Sequence, residues 1–234
     1  MKILVKYPSR GRLAQFFNGL NTLYQHCINP SQMFVLATLD EDDQVMNSEY
    51  VRQKAAEYAN LKLDYGKSNS KIHAVNRGIN EVSEIYPEAA DWDVVIVMSD
   101  DMQMCYTGWD MQIRLDFESF PDTDGYLHYW EKDSHTALNV MTIKGRKYFE
   151  RFGFLYHPDY KSLFCDNEQM EVAKMLGRYK FVNLEIFRHL NPAYGYAERD
   201  AMFDEQQNIG WTVDQETYNR RKALNFEIEK WWTK

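Results

Sequence analysis

Apolar positions along this chain follow two rhythms: short unbroken runs, and longer stretches with apolar residues three and four apart. The runs predict strands and the spaced stretches predict helices. Lys2–Tyr7, Met33–Leu39 and Leu61–Tyr65 are short runs rich in Ile, Val and Leu. Between the first two, Leu13, Phe16, Phe17, Leu20, Leu23 and Tyr24 share one helical face. Asn47–Asn60 carries a second such face, with Val51, Ala55 and Tyr58–Ala59. Ile72, Val75, Ile79, Val82 and Ile85 make a third, on a helix running to about Tyr86. Val94–Met98 has five consecutive apolar residues between polar neighbours. It predicts a strand buried on both faces, which requires helices on either side of the sheet. Beyond it the pattern predicts a helix from Gly108 to about Phe120 and strands at Gly125–Trp130 and Leu138–Ile143. Helices follow at Gly145–Phe152 and Asp166–Leu176, and a last strand at Tyr179–Arg188. This alternation predicts a single α/β domain, residues 1–192, with a mixed or parallel sheet flanked by helices. Residues 193–234 read as a loop and a C-terminal helix closing on it.

Polar chemistry collects where the predicted strands end. In open α/β sheets, ligands bind outside the carboxyl ends of the strands. Val94–Met98 ends in Ser99-Asp100-Asp101. Adjacent carboxylates repel, and a divalent cation carrying a phosphorylated ligand would offset the repulsion. The same residues are also good turn and cap formers, so both readings stand at this point. The first strand runs into Pro8-Ser9-Arg10-Gly11-Arg12, a loop suited to an anion at a helix N-terminus, or to solvated arginines. The second runs into Asp40-Glu41-Asp42-Asp43. Asp40, first out of the strand, is the member expected in a site and the others are expected in solvent. His73, Asn76, Arg77 and Asn80 lie on the polar sides of the helix that follows the third strand.

Composition narrows the class. Of 234 residues, 44% are hydrophobic and 26% charged, an ordinary globular balance. The net charge of -8 argues against a protein held on DNA or a membrane mainly by a broad positive field. Aromatic residues, at 15%, can pack a core or stack on sugars and bases. The three cysteines show no paired or zinc spacing, which predicts reduced thiols in a cytoplasmic protein. MKILVKYP is too short an apolar run for a signal peptide, and no run is long enough to span a bilayer. The phosphate-binding G-x-x-x-x-G-K-[ST], the dinucleotide G-x-G-x-x-G and the G-x-S-x-G elbow are all missing.

KYPSRGR after the first strand, TLDEDD after the second, KSNSKIHAVNRGI, VIVMSDDM, DNEQMEVA and the late RHLNP stand in a shared order and spacing. Together they resemble a GT-A-fold glycosyltransferase of the family 2 kind, over Lys2 to about Pro192. The wording of KYPSRGR and TLDEDD is most similar to compact bacteriophage and viral members. The resemblance implies a GT-A-type Rossmann-like mixed sheet and a metal-dependent, inverting transfer of sugar from a nucleotide-sugar donor, a UDP-sugar, to an acceptor hydroxyl. It implies Asp101 as ligand of Mn2+ (or Mg2+), with Asp100 assisting or binding ribose, and His189 as a further ligand. Pro8, Arg10, Asp40, Lys71 and Asn76 match positions lining the nucleotide pocket. Asp166 matches the catalytic base, held ionised by its helix N-terminus, and Glu168 is the second choice. The chain departs from the family in having Ser99 where the D-x-D motif begins, and in lacking a literal E-D pair. The acceptor implied is a glycan or a hydroxymethylated pyrimidine in viral DNA. Arg10, Arg12, Lys67, Lys71, Arg220 and Arg221 are the basic residues that would serve DNA. A non-catalytic nucleotide-sugar or glycan-binding module, or a nucleotidyltransferase, would share the fold.

Overall fold

The computed structural model describes residues 1–196 and 198–232. Its centre is a seven-stranded sheet built from β1 (Ile3–Ser9), β2 (Met33–Asp40), β3 (Leu61–Gly66), β4 (Val94–Val97), β6 (Tyr126–Tyr129), β7 (Ile143–Gly145) and β8 (Tyr179–Val182). The spatial order is β3-β2-β1-β4-β7-β6-β8. β3, β2, β1 and β4 pair in parallel, β7 is antiparallel to both neighbours, and β6 pairs with β8 in parallel. All eight residues of β2 and all four of β4 are buried, as strands covered on both faces must be.

The helices that cover the sheet are amphipathic in the predicted sense. α1 (Leu13–Gln25) buries Phe16, Phe17, Leu20 and Leu23. α2 (Glu49–Ala55) is shorter than the pattern suggested; Ser48 caps its start by accepting from the Val51 N–H, and the chain leaves it through Asn60 at φ 56°. The apolar face expected as one helix to Tyr86 is divided into α3 (Lys71–Asn76) and α4 (Val82–Ile85). Gly78, at φ +77°, turns the chain between them, a conformation glycine adopts without a Cβ penalty. The apolar residues still reach the core, so the burial pattern survived although the continuous helix did not.

Two further departures place the site. The chain after Asp101 forms a strand missed in the sequence, β5 (Met102–Met104). The single strand expected at Tyr179–Arg188 is two: β8 in the main sheet and β9 (Phe187–His189), which pairs antiparallel with β5. Leu138–Ile143 is mostly loop, anchored by Asn139 donating to the Leu127 carbonyl, and the strand itself starts at Ile143. Between these lie α5 (Trp109–Asp116), α6 (Arg146–Glu150) and α7 (Cys165–Met175). Among its described residues the C-terminal segment holds two α-helices, α8 (Ala201–Ile209) and α9 (Gln215–Ala223), joined by a π-helical turn at Gly210–Asp214. No helix among the described residues is long and apolar enough to cross a membrane.

Candidate active site

The carboxyl ends of β2, β1 and β4 lie side by side, because these strands are neighbours in parallel register. At the end of β1, Ser9 donates to Asp100 Oδ2 at 2.7 Å. Arg12, at the start of α1, donates to Asp100 Oδ1 at 3.2 Å and grips Asp200 with two bonds of 2.8 Å. Asp200 in turn caps α8 by accepting from the Phe203 N–H. Asp100 is therefore buried and fully engaged. Burial and the neighbouring Asp101 charge push its carboxyl up to about 6, against the pull of Arg12 and Ser9.

Asp101 faces a different set of groups. The β5–β9 ribbon pairs Met102 with His189, which brings His189 back over the end of β4. The Leu190 N–H donates to the Asp101 carbonyl at 2.7 Å and fixes that register. His189 Nε2 lies 3.2 Å from Asp101 Oδ2, and Ser99 Oγ donates to Oδ1 of the same carboxylate. Burial opposes ionisation here too. His189, Lys71 and Ser99 outweigh it, and the Asp101 carboxyl is held well below the usual range. Adjacent carboxylates are thus pushed in opposite directions by what they touch.

Lys71 and Asp166 complete the group. Lys71 opens α3, whose cap is Ser70 accepting from the His73 N–H. Its side chain is exposed and has no hydrogen bond or ion pair among the described residues, yet its charge acts on both Asp101 and Asp166. Asp166 lies in the first turn of α7 and accepts from the Asn167 N–H at 2.9 Å. It keeps some contact with solvent while being enclosed by protein. The helix N-terminus was expected to hold this carboxyl low. Burial instead pushes it above the ordinary value, against the Asn167 N–H, Lys71 and His189.

The remaining expected residues are distributed unevenly. Asp40 is buried at the end of β2, with Arg10 donating at 2.7 Å and Arg77 at 3.4 Å. Pro8 lies on β1 opposite Thr38, two residues before Asp40 on β2. Arg77 also donates to Ser68 and to the Leu39 and Asp64 carbonyls, tying the ends of β2 and β3 together. Of the other acids after β2, Glu41 and Asp42 are exposed, as expected. Asp43 is buried and accepts from the Gly11, Val45 and Met46 N–H groups. Asn76 does other work than lining a nucleotide pocket. Its amide donates to the Tyr156 carbonyl and accepts from the Leu155 and Tyr156 N–H groups, clamping that segment onto α3. Glu168 is buried in a two-pronged pair with Arg221, at 2.7 and 2.8 Å, and accepts from the Tyr160 hydroxyl. It joins α7 to α9 and points away from the Asp101 group in its bonding.

Among the described residues no three His, Cys, Asp or Glu side chains stand together as a complete metal cage. Asp101 and His189 nevertheless offer one ionised carboxylate and one imidazole nitrogen on the same side of the ribbon. That donor set fits a cation whose other positions are filled by phosphate oxygens and water, as Mg2+ and Mn2+ sites on phosphorylated substrates are.

No family model matches this chain, and no curated protein matches its sequence. Its fold is that of solved GT-A-type enzymes. S. aureus TarS residues 1–349 in complex with UDP aligns with a TM-score of 0.60 at 11% identity, over 80% of this chain and 60% of that one. The same TarS fragment with UDP-GlcNAc gives 0.59 at 13%, over 80% and 58%. The mannosyltransferase PcManGT from Pyrobaculum calidifontis, in complex with GDP-Man and Mn2+, gives 0.59 at 14%, over 83% and 58%. The chain thus spans about 60% of the TarS fragment's length in the UDP complex.

Proposed function

We propose that this protein transfers a sugar from a nucleotide-sugar donor, a UDP-sugar, to an acceptor hydroxyl, with inversion at the anomeric carbon. The observation that supports this most is the grouping of Asp101, His189, Lys71 and Asp166 at the ligand-binding end of a GT-A sheet. Asp101 and His189 would hold Mn2+ or Mg2+, which when bound supplies Lewis-acid stabilisation of the departing diphosphate. Lys71 brings a free positive charge to the same phosphates. Asp40, framed by Arg10 and Arg77, with Pro8 on the neighbouring strand, offers the surface on which the nucleoside rests. Asp100 fixes the start of α1 and α8 around that surface through Ser9 and Arg12.

In the transfer step the acceptor oxygen bonds to the anomeric carbon while the bond from that carbon to the β-phosphate oxygen breaks. The bonding pair leaves with the nucleoside diphosphate. The acceptor proton passes to Asp166. A carboxylate whose pKa is raised by burial is a stronger base than a solvated one, which suits this role. Glu168 is the poorer candidate, since both its oxygens are committed to Arg221 and Tyr160. The C-terminal segment, tied to Arg12 by Asp200, closes the domain on that side.

A glycan suits the acceptor better than modified DNA. Arg10, Arg12, Lys67, Arg220 and Arg221 are each paired with an acid, which leaves Lys71, among the described residues, as the one unpaired cation of the six named above. A binding-only module is the second reading, favoured by Ser99 occupying the place of the motif's first acid. A panel of nucleotide sugars with Mn2+, read by nucleotide release and by thermal shift, separates them. The transferase releases UDP from one donor, and chelation stops it. A thermal shift with no release from any donor would establish the binding module, and full turnover in chelator would remove the metal.

A further inference from the structure

Asp166 can take a proton only if its carboxylate is presented to the acceptor, and the backbone just before α7 sets that presentation. Residues 161–164 form a bend with no helix or strand of their own. Three consecutive N–H groups of the bend donate to one carboxylate, that of Asp214. Lys161 reaches Oδ1 at 2.8 Å, and Ser162 and Leu163 reach Oδ2 at 2.6 and 2.8 Å. Asp214 is fully buried and has no ion pair among the described residues. Burying a carboxylate is costly, and here backbone N–H groups offset the cost.

Asp214 comes from far along the chain. It ends the π-helical turn between α8 and α9, and such turns concentrate at functional sites. Gly210, at the start of the turn, lies so close to Leu163 that a Cβ there would collide with its side chain. The turn thus meets the bend at both of its ends. The bend is also tied to the site. The Lys161 carbonyl accepts from the Ile72 N–H at 3.2 Å. Ile72 follows Lys71, the exposed cation whose charge acts on Asp166. One residue of the bend therefore bonds Asp214 through its N–H and α3 through its carbonyl. Cys165 closes the bend onto α7, its Sγ donating to the Ser162 carbonyl at 3.9 Å. Between them Phe164 stands at φ +63°, in the left-handed region that a residue with a side chain seldom adopts. Such a conformation persists only where its surroundings fix it, and it aims the first turn of α7.

We propose that Asp214 is a positioning residue for the transfer step: by holding residues 161–163 it sets the direction in which α7 presents Asp166 and the spacing of Asp166 from Lys71. The inference rests on the reading of Asp166 as the base. It makes the C-terminal segment part of the catalytic apparatus, although Asp214 itself holds only backbone.

The test compares wild type, Asp214→Asn, Asp166→Asn and the double variant, each checked for folding by circular dichroism and urea unfolding. Turnover is read as nucleotide release from the donor that wild type uses, and the donor site as the dissociation constant for UDP with Mn2+. Asp214→Asn removes one acceptor oxygen and sets an amide against backbone N–H groups, so the bend must shift. It is expected to lower kcat about 100-fold, the scale of a displacement of about 1 Å at a reacting group. UDP binding should stay within about twofold of wild type, as it does when only the reacting geometry is disturbed. In the double variant kcat should be no lower than in Asp166→Asn, since nothing is left to position. Gly210→Ala presses on Leu163 from the other end of the turn and leaves the Asp214 carboxylate in place. It should lower kcat about 10-fold with UDP binding again unchanged. Where Asp214→Asn does not fold, Gly210→Ala decides alone, and an unchanged kcat there overturns the proposal. An unchanged kcat in folded Asp214→Asn, UDP affinity falling in step with kcat, or a further loss in the double variant would overturn it too. So would an Asp166→Asn variant as active as wild type, which removes the base itself. No nucleotide release by wild type from any donor marks failure of the transferase reading, and the proposal falls with it.

Discussion

The ends of β2 and β4 both carry clustered acids, and the fold treats them in opposite ways. At β2, Asp40 is enclosed by two arginines and Asp43 by three backbone N–H groups. The charge is neutralised by the protein itself, and these acids hold the ends of β1, β2 and β3 together. At β4, Asp101 has no arginine partner among the described residues. Its partners are a serine hydroxyl, an imidazole and the field of an exposed lysine. An acid cluster satisfied by arginines has its charge already balanced. One left with a histidine, and a lysine that has no ion pair among the described residues, retains capacity for a ligand. α7 repeats the contrast within one turn: Glu168 is closed by Arg221, and Asp166, half-buried, has no arginine partner among the described residues.

The largest expected effects fall on the open acids. Asp166→Asn should lower kcat by about 10³-fold with donor affinity unchanged, within the usual range for a lost general base. Asp101→Ala should abolish metal-dependent release while leaving the urea midpoint near that of wild type. A comparable loss of stability would put Asp101 in the same class as Asp40. Next comes Glu168→Ala, which strands Arg221 without its main partner in the interior. It should destabilise the fold by about 3–5 kcal/mol in equilibrium unfolding. Asp40→Asn should cost less, about 1–3 kcal/mol, because Arg10 keeps Asp42, and Arg77 keeps Asp64, Ser68 and two carbonyls.

The smallest effect concerns Asp100 and Asp101. The Asp100 carboxyl is raised, so its ionisation weakens the folded state above about pH 6, and that penalty fades as pH falls toward the ordinary carboxylate value. The Asp101 carboxyl is lowered, so it contributes stability above the ordinary value, and this is lost only in stronger acid. Between pH 7 and pH 4, Asp100→Asn should therefore lose ground relative to wild type, by on the order of 1 kcal/mol in paired urea titrations. Parallel curves for the two proteins would mean that Asp100 is not held high.

The runs that became β1 to β4 were legible because each is apolar, short and bounded by polar residues, and burial on both faces leaves little else for such a run to do. β5 and β9 were not, since three-residue strands show no rhythm of their own and exist only through their pairing. The division between α3 and α4 turned on a single glycine whose apolar neighbours kept the helical spacing. For the site, residue type at a strand end picked out Asp40 and Asp101, and the family resemblance pointed to Lys71 and Asp166. Neither could tell a free acid from a paired one, because the deciding partner is far along the chain. Arg221 is 53 residues from Glu168, Tyr156 is 80 from Asn76, and Asp200 is 188 from Arg12. Asp200, in a polar stretch before a helix, carried no mark beyond that of a cap.

By itself the sequence determined the layers, the central strand and the end of the sheet at which polar chemistry collects, because hydrophobic periodicity and local turn chemistry act over a few residues. Only the tertiary structure decided which acids are closed by arginines, which remain open, and that His189 stands beside Asp101. Those outcomes depend on through-space electrostatics and on the pairing of segments distant in sequence, and no local pattern encodes either.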